Sequence, residues 1–214
     1  MDNMLDQVKE NISSEFLNEA SIFYGENETG IAKAISCIAP SILAGVLEKS
    51  GDSHSIDTIF STLKNFDPGV ANHLSALIGE PSQTQKQSKD AFAQLSDLIF
   101  GAKAPAITNA VASFSGVKQS SASALLGIGG PLVMALLSKK INEEGLNSST
   151  LVRYLLAQKP IFMGVLPAGI ASLLGLVNAG NNSNSEGSMG GKVWIWLILL
   201  LIGIIGIIIF SLRG

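Results

Sequence analysis

The order of helical signals in residues 1–80 returns in residues 91–177. A chain built this way must find one packing that serves two similar halves. With Pro40 set on Pro131, a shift of 91 residues, Phe23 meets Phe114 and Gly25 meets Gly116. Ile35 then meets Leu126, Ile42 meets Val133, Ala44 meets Ala135, and Lys49 meets Lys140. Farther along the offset grows by one, so that Ile59 and Leu63 fall on Leu151 and Leu155. The runs VANHLSALIG at 70–79 and PAGIASLLG at 167–175 close the two copies.

Each copy reads as one series of helices. Leu5, Val8, Ile12, Phe16, Ala20 and Phe23 recur at three- and four-residue steps, the mark of a single amphipathic helix. Ile107, Val111 and Phe114 repeat the pattern after Pro105, which suits a first turn. Gly25 and Gly116 are placed to end these helices. A long apolar helix follows, near 30–49 and 120–140, with Pro40 and Pro131 expected to kink or break it. Ser55 is a candidate cap for 56–64, and Ser148 or Ser149 for 150–158. Asp67-Pro68 opens a last helix that stops at Gly79. Between the copies, 79–89 is polar, and Ala91, Phe92, Leu95 and Ile99 form a further amphipathic stripe. No stretch alternates as a strand would.

The C-terminal run 193–212, VWIWLILLLIGIIGIIIFSL, carries no charge. Its twenty residues would span about 30 Å as a helix, the thickness of a bilayer's hydrocarbon core. Trp194 and Trp196 stand near its start at Val193, where indole rings favour the headgroup zone, and Lys192 and Arg213 bracket the run that ends at Leu212. Ahead of it, the Gly/Ser/Asn-rich segment 178–191 reads as a flexible linker, fourteen residues with a reach of about 20 Å. The expected architecture is therefore all-α. Two pseudo-repeats form one helical domain over 1–177, followed by a linker and one transmembrane helix. The N-terminus lacks the basic start and apolar run of a signal peptide. The expected location is thus the bacterial inner membrane, single-pass, with the helical domain in the cytoplasm.

The segments 122–137 and 161–177 are also uncharged. They are shorter than a full span and rich in Gly and Ala, which favours a buried helical hairpin over membrane insertion.

Catalytic groups are sparse. His54 lies in the polar turn Gly51-Asp52-Ser53-His54-Ser55, where sequence neighbours do not make a triad. His73 sits beside Asn72, and Cys37 lies in an apolar run that reads as core. Two His and one Cys at unrelated spacings form no zinc signature. The cluster Gly127-Ile128-Gly129-Gly130 lacks the GK[ST] ending of a phosphate loop and reads as close helix packing, or as a break before Pro131. No catalytic residue, metal site or cofactor is expected. A net charge of −3 argues against nucleic acid as a partner.

Gly25 leads through Pro40-Ser41-Ile42-Leu43-Ala44 to Lys49, and Gly116 leads through Gly130-Pro131-Leu132-Val133-Met134-Ala135 to Lys140. This paired pattern resembles the bacterial domain of unknown function 937 family, also called YidB-like, over about residues 1–177. The resemblance implies an all-helical domain with no established activity. Some members continue through a membrane helix into an OmpA-like, peptidoglycan-binding domain. No residue here matches that module, so a cell-wall role is not carried over; either the chain is a short member or a further domain belongs after Gly214.

The function expected is that of a membrane-tethered, non-enzymatic interaction or scaffold protein of the bacterial envelope. Its partners would be the lipid bilayer and an unidentified protein, a second copy of the chain included. The alternative is a membrane-inserting or membrane-remodelling protein that uses 122–137 and 161–177.

Overall fold

Polar side chains that accept hydrogen bonds from a first helical turn mark most helix starts in this chain. The computed structural model describes residues 3–79 and 82–176. Among them every regular element is helical. Asn3 caps α1 (Met4–Glu10), Ser13 caps α2 (Ser14–Tyr24) and Asn27 caps α3 (Glu28–Glu48). Asp52 caps α4 (Ser53–Lys64), accepting from the backbone N–H groups of His54 and Ser55. A 3-10 segment, Pro68–Leu77, leads to α5 (Gln83–Phe100). Then come α6 (Ala104–Ser115), α7 (Gln119–Glu144), α8 (Ser148–Val165) and α9 (Ala168–Leu173).

The two long helices are the core. α3 and α7 pack on each other and are enclosed by the remaining helices. Nearly every residue from Ile31 to Leu47 and from Leu125 to Leu137 is buried. Such a helix has no polar face, and only an interior position accommodates it. Glu28–Gly51 and Gln119–Glu144 are long and apolar enough to cross a membrane, but 83% and 78% of their most apolar stretches lie inside the protein. Ile38 of α3 meets Gly129 of α7, where a Cβ on the glycine would sit 3.1 Å from the isoleucine Cγ2. Where the two helices begin, the Glu26 carboxylate accepts from the Lys118 backbone N–H at 2.9 Å and the Ser121 hydroxyl at 2.7 Å. Val117 in turn lies over Gly30, 3.0 Å from a Cβ built there.

Several local expectations change. The first amphipathic stripe is two helices, because Ser13 turns its hydroxyl to the Phe16 N–H and starts a new one. Phe23 is 59% exposed and not in the core. Pro40 and Pro131 do not break their helices: α3 and α7 each run through. A proline inside a helix costs about 3 kcal/mol. Both prolines are buried within helices packed on every side, and that burial outweighs the lost hydrogen bond. The caps of α4 and α8 are Asp52 and Asn147, one or more residues ahead of the serines expected; Asn147 forms a reciprocal capping box with Thr150. α8 also runs on through Pro160 to Val165.

The segment after Asp67 is 3-10 and not α-helical, with His73 at φ −134° and ψ 43°. Its buried residues Ala71, Leu74 and Leu77 recur every third position. His73 lies outside the helical region, so the segment is two short 3-10 pieces joined at a kink, and it packs along α7. Gly25 and Gly116 close α2 and α6 in the left-handed region, at φ 60° and 75°.

The chain divides into two units at Val177–Asn178. The linker 178–191 and the run 193–212, with Val193, Trp194, Trp196 and Leu212, lie outside the described residues.

Candidate functional site

The chemistry-bearing residues singled out in the sequence are not brought together. His54 is exposed in the first turn of α4, and His73 is exposed in the 3-10 segment. Asp52 and Ser55 are occupied with each other, and with the cap of α4. Hydrogen bonds from Ser55, its hydroxyl first, hold the Asp52 carboxyl below its ordinary range. Cys37 is buried in α3, and burial pushes its thiol up to about 12. A thiol so placed is not a nucleophile at neutral pH. Among the described residues no three His, Cys, Asp or Glu side chains are grouped to hold a metal.

The glycine cluster serves packing, each member differently. A Cβ on Gly129 would press on Ile38, and one on Gly130 would fall within the Phe92 ring. One on Gly127 would meet nothing within 4 Å.

A cleft of about 670 Å³ lies between the end of α7 and the outer stripe of α8. Its α8 wall is Thr150, Arg153, Tyr154, Ala157, Gln158 and Ile161, which are three or four positions apart and so share one helix face. The Gln158 side chain is buried, and its carbonyl oxygen accepts from the Met4 backbone N–H at 2.9 Å. That bond fixes the start of α1 at one end of the cleft, beside Asn3. From α7 come Lys140 and Glu144, an ion pair one helical turn apart. The Lys140 ammonium also lies 5.1 Å from the centre of the Tyr154 ring, within cation–π range. The cleft thus has a mixed-charge rim of Lys140, Glu144 and Arg153 and reaches Ile161, 43% exposed; Val165, 52% exposed, lies one turn farther along α8.

Of the cleft residues, the sequence marks Lys140, as part of the repeat, and Ile161, as the start of the uncharged segment 161–177. A further signal was present: α8 holds Arg153 and Lys159 and no acidic residue, in a chain of net charge −3. The segments 122–137 and 161–177 have different fates. The first is the buried middle of α7, while the second, as far as residue 176, holds the end of α8, a turn at Leu166-Pro167, and α9.

No curated protein and no solved structure matches this chain. A family model does: that of the bacterial protein of unknown function (DUF937), over residues 6–140. The match runs from α1 to the last turns of α7 and so takes in both core helices, together with the Lys140 edge of the cleft. It covers more than half of the sequence, and the chain belongs to the DUF937 family of bacterial proteins.

Proposed function

We propose that this protein is a membrane-tethered, non-enzymatic binding module of the bacterial envelope, its helical domain held on the cytoplasmic side of the inner membrane by 193–212. The observation that carries the binding role is the cleft on α8, with Lys140, Glu144 and Arg153 on its rim and Ile161 exposed at its end. The tether rests on the uncharged twenty-residue run with its two tryptophans. A leash of about 20 Å raises the effective concentration of the domain toward anything else at that bilayer.

The domain is, in this reading, a duplicated helical unit folded about a pseudo-two-fold axis between α3 and α7. Exchanged contacts support it. Under the 91-residue shift, the approach of Glu26 to Ser121 becomes that of Val117 to Gly30. Ile38 and Gly129, equivalent under the same shift, touch each other, as residues at the axis must. α5 packs on α3 as α1 packs on α7, and α8 packs on α3 as α4 packs on α7.

Exchanging 193–212 for an unrelated transmembrane helix of equal length and orientation tests the tether. The substitute is expected to restore whatever phenotype the anchorless chain loses. Restoration by the native helix alone would mean that this helix makes specific contacts, and the tether reading would fail. Insertion of 122–137 into lipid, the rival mechanism, requires α7 to leave a core in which it is buried.

A further inference from the structure

We propose that the outer side of α6, α9 and the end of α8 rests in the interfacial layer of the bilayer to which the domain is tethered. The inference rests on the tether reading of 193–212. Two stretches of the described chain carry no charge over more than a dozen residues on the surface of the fold. One is 104–117, which is α6 and its closing turn, and the other is 160–176, which is the end of α8 and α9. They are far apart in sequence, and the fold packs α6 against α9. Each gives one side to the core: Ile107 and Val111 of α6 and Ile170 and Ala171 of α9 are buried. The other side is left to solvent. Phe114 is 46% exposed in the last turn of α6, and Val165 is exposed where α8 gives way to α9. Gly164, Ala168 and Gly169 are exposed beside it in sequence, and Leu173 and Leu176 are half-buried.

The course of the chain selects the occupant. After Leu176 only sixteen residues, 177–192, precede Val193. A flexible segment of that length reaches about 20 Å. A protein partner or a second copy must be met by diffusion, whereas lipid lies within the leash at all times.

Size sets the depth of the contact. α6 has 12 residues and α9 has 6. As helices these measure about 18 Å and about 9 Å, well short of a bilayer's hydrocarbon core of about 30 Å. With their inner sides held in the core, they can enter only the headgroup and upper acyl region, to a depth of about 5–10 Å. The uncharged stretch after Lys159 thus meets lipid without leaving the fold. Charge has a minor part. Lys103, Lys118 and Lys159 close the two stretches and can lay their stems on the apolar surface with the ammonium groups among headgroups. Exposed acids stand on α5, which also packs on α6, Asp97 among them. The contact is therefore apolar, and neutral phosphatidylcholine is expected to serve as well as an anionic lipid. Few large side chains take part, so the contact holds only while the tether supplies the proximity; without 193–212 the domain is expected in solution.

The full chain is reconstituted in phosphatidylcholine liposomes with a polarity-sensitive fluorophore on one introduced thiol at a time: Ser113→Cys in α6, Ala168→Cys in α9, and Ser61→Cys in α4 as the reference. All three positions are exposed, and α4 does not pack on α6 or α9. Cys37 is buried, and the native chain treated alike shows that it stays unlabelled. Labels at 113 and 168 are expected to shift to the blue and to be quenched by phosphatidylcholine bearing a nitroxide on its acyl chain, and the label at 61 to do neither. Val165→Glu is expected to abolish the quenching at 168, with an unchanged circular dichroism melt showing that the variant is folded. Labels at 113 and 168 that behave as the one at 61 overturn the proposal, as does quenching indifferent to Val165→Glu. A blue shift that grows with protein density and is not quenched by the nitroxide lipid also overturns it, since a second copy would then cover this side. A chain that does not float with the liposomes fails the tether reading and this contact with it; a chain that floats with no quenching at 113 and 168 fails the contact alone.

Discussion

Replacing Gly130 by Ala places one methyl group where the Phe92 ring already stands. Phe92 is 5% exposed in the wall between α5 and α7, so the ring has no open space to swing into. Overpacking of this kind costs about 1–3 kcal/mol. The helix-propensity gain from Gly to Ala returns about 1 kcal/mol, so the net loss lies between nothing and about 2 kcal/mol. Gly127→Ala, one turn earlier in α7, takes the same propensity gain with nothing within 4 Å of the new methyl, and is expected to stabilise by about 0.5–1 kcal/mol. The two variants should thus differ by about 1–3 kcal/mol. Urea unfolding of residues 1–177, followed by circular dichroism, measures both. A double-mutant cycle with Phe92→Ala locates the cause: Gly130→Ala should become neutral or stabilising once the ring is gone. If Gly130→Ala is as stable as Gly127→Ala with Phe92 present, the close approach of α5 to α7 is not real, and neither is the role of the glycine cluster as a packing device.

Cys37 should resist thiol reagents in the native protein at pH 8 and react fully on unfolding, because burial holds its thiol up at about 12. The Glu26 carboxyl is held below its ordinary range by the hydrogen bond from the Lys118 backbone N–H, then by that from the Ser121 hydroxyl. A carboxyl depressed in the folded state stabilises above its unfolded pKa and loses that contribution as pH falls through its folded value. Glu26→Gln should therefore flatten the acid limb of a stability–pH profile, and an unchanged limb would show that the carboxylate contributes nothing. Fragments 1–81 and 82–177 should each be molten alone and give a cooperative melt when mixed, since each supplies the surface that buries the other's long helix. Sharp side-chain NMR signals from either fragment alone would contradict a shared core.

The helical class and the interior place of α3 and α7 were legible, because helices without a polar face have few places to go. Gly25 and Gly116 read correctly as helix ends, since glycine accepts a left-handed φ without strain. The prolines misled: local cost is visible in a sequence, whereas the burial that offsets it at Pro40 and Pro131 comes from distant helices. The caps at Asp52 and Asn147 lost to nearby serines because every candidate side chain in a polar turn is a plausible acceptor, and backbone geometry decides. One helix was expected after Asp67 where two short 3-10 pieces stand, because nothing in the sequence marks the break at His73. The α8 cleft was hidden for another reason. Its walls come from Asn3, α7 and α8, and the Met4–Gln158 bond that closes one end joins residues 154 apart.

The proposed role depends on where this domain is held. Membranes from cells expressing the full chain, and separately the chain ending at residue 192, can be washed in alkaline carbonate and the pellet and supernatant blotted. The full chain should stay wholly in the pellet, and the shortened chain should appear in the soluble fraction before any wash. A shortened chain that still resists carbonate would show that helices inside 1–176 enter the bilayer, and that α3 and α7 leave the core in which they are placed here.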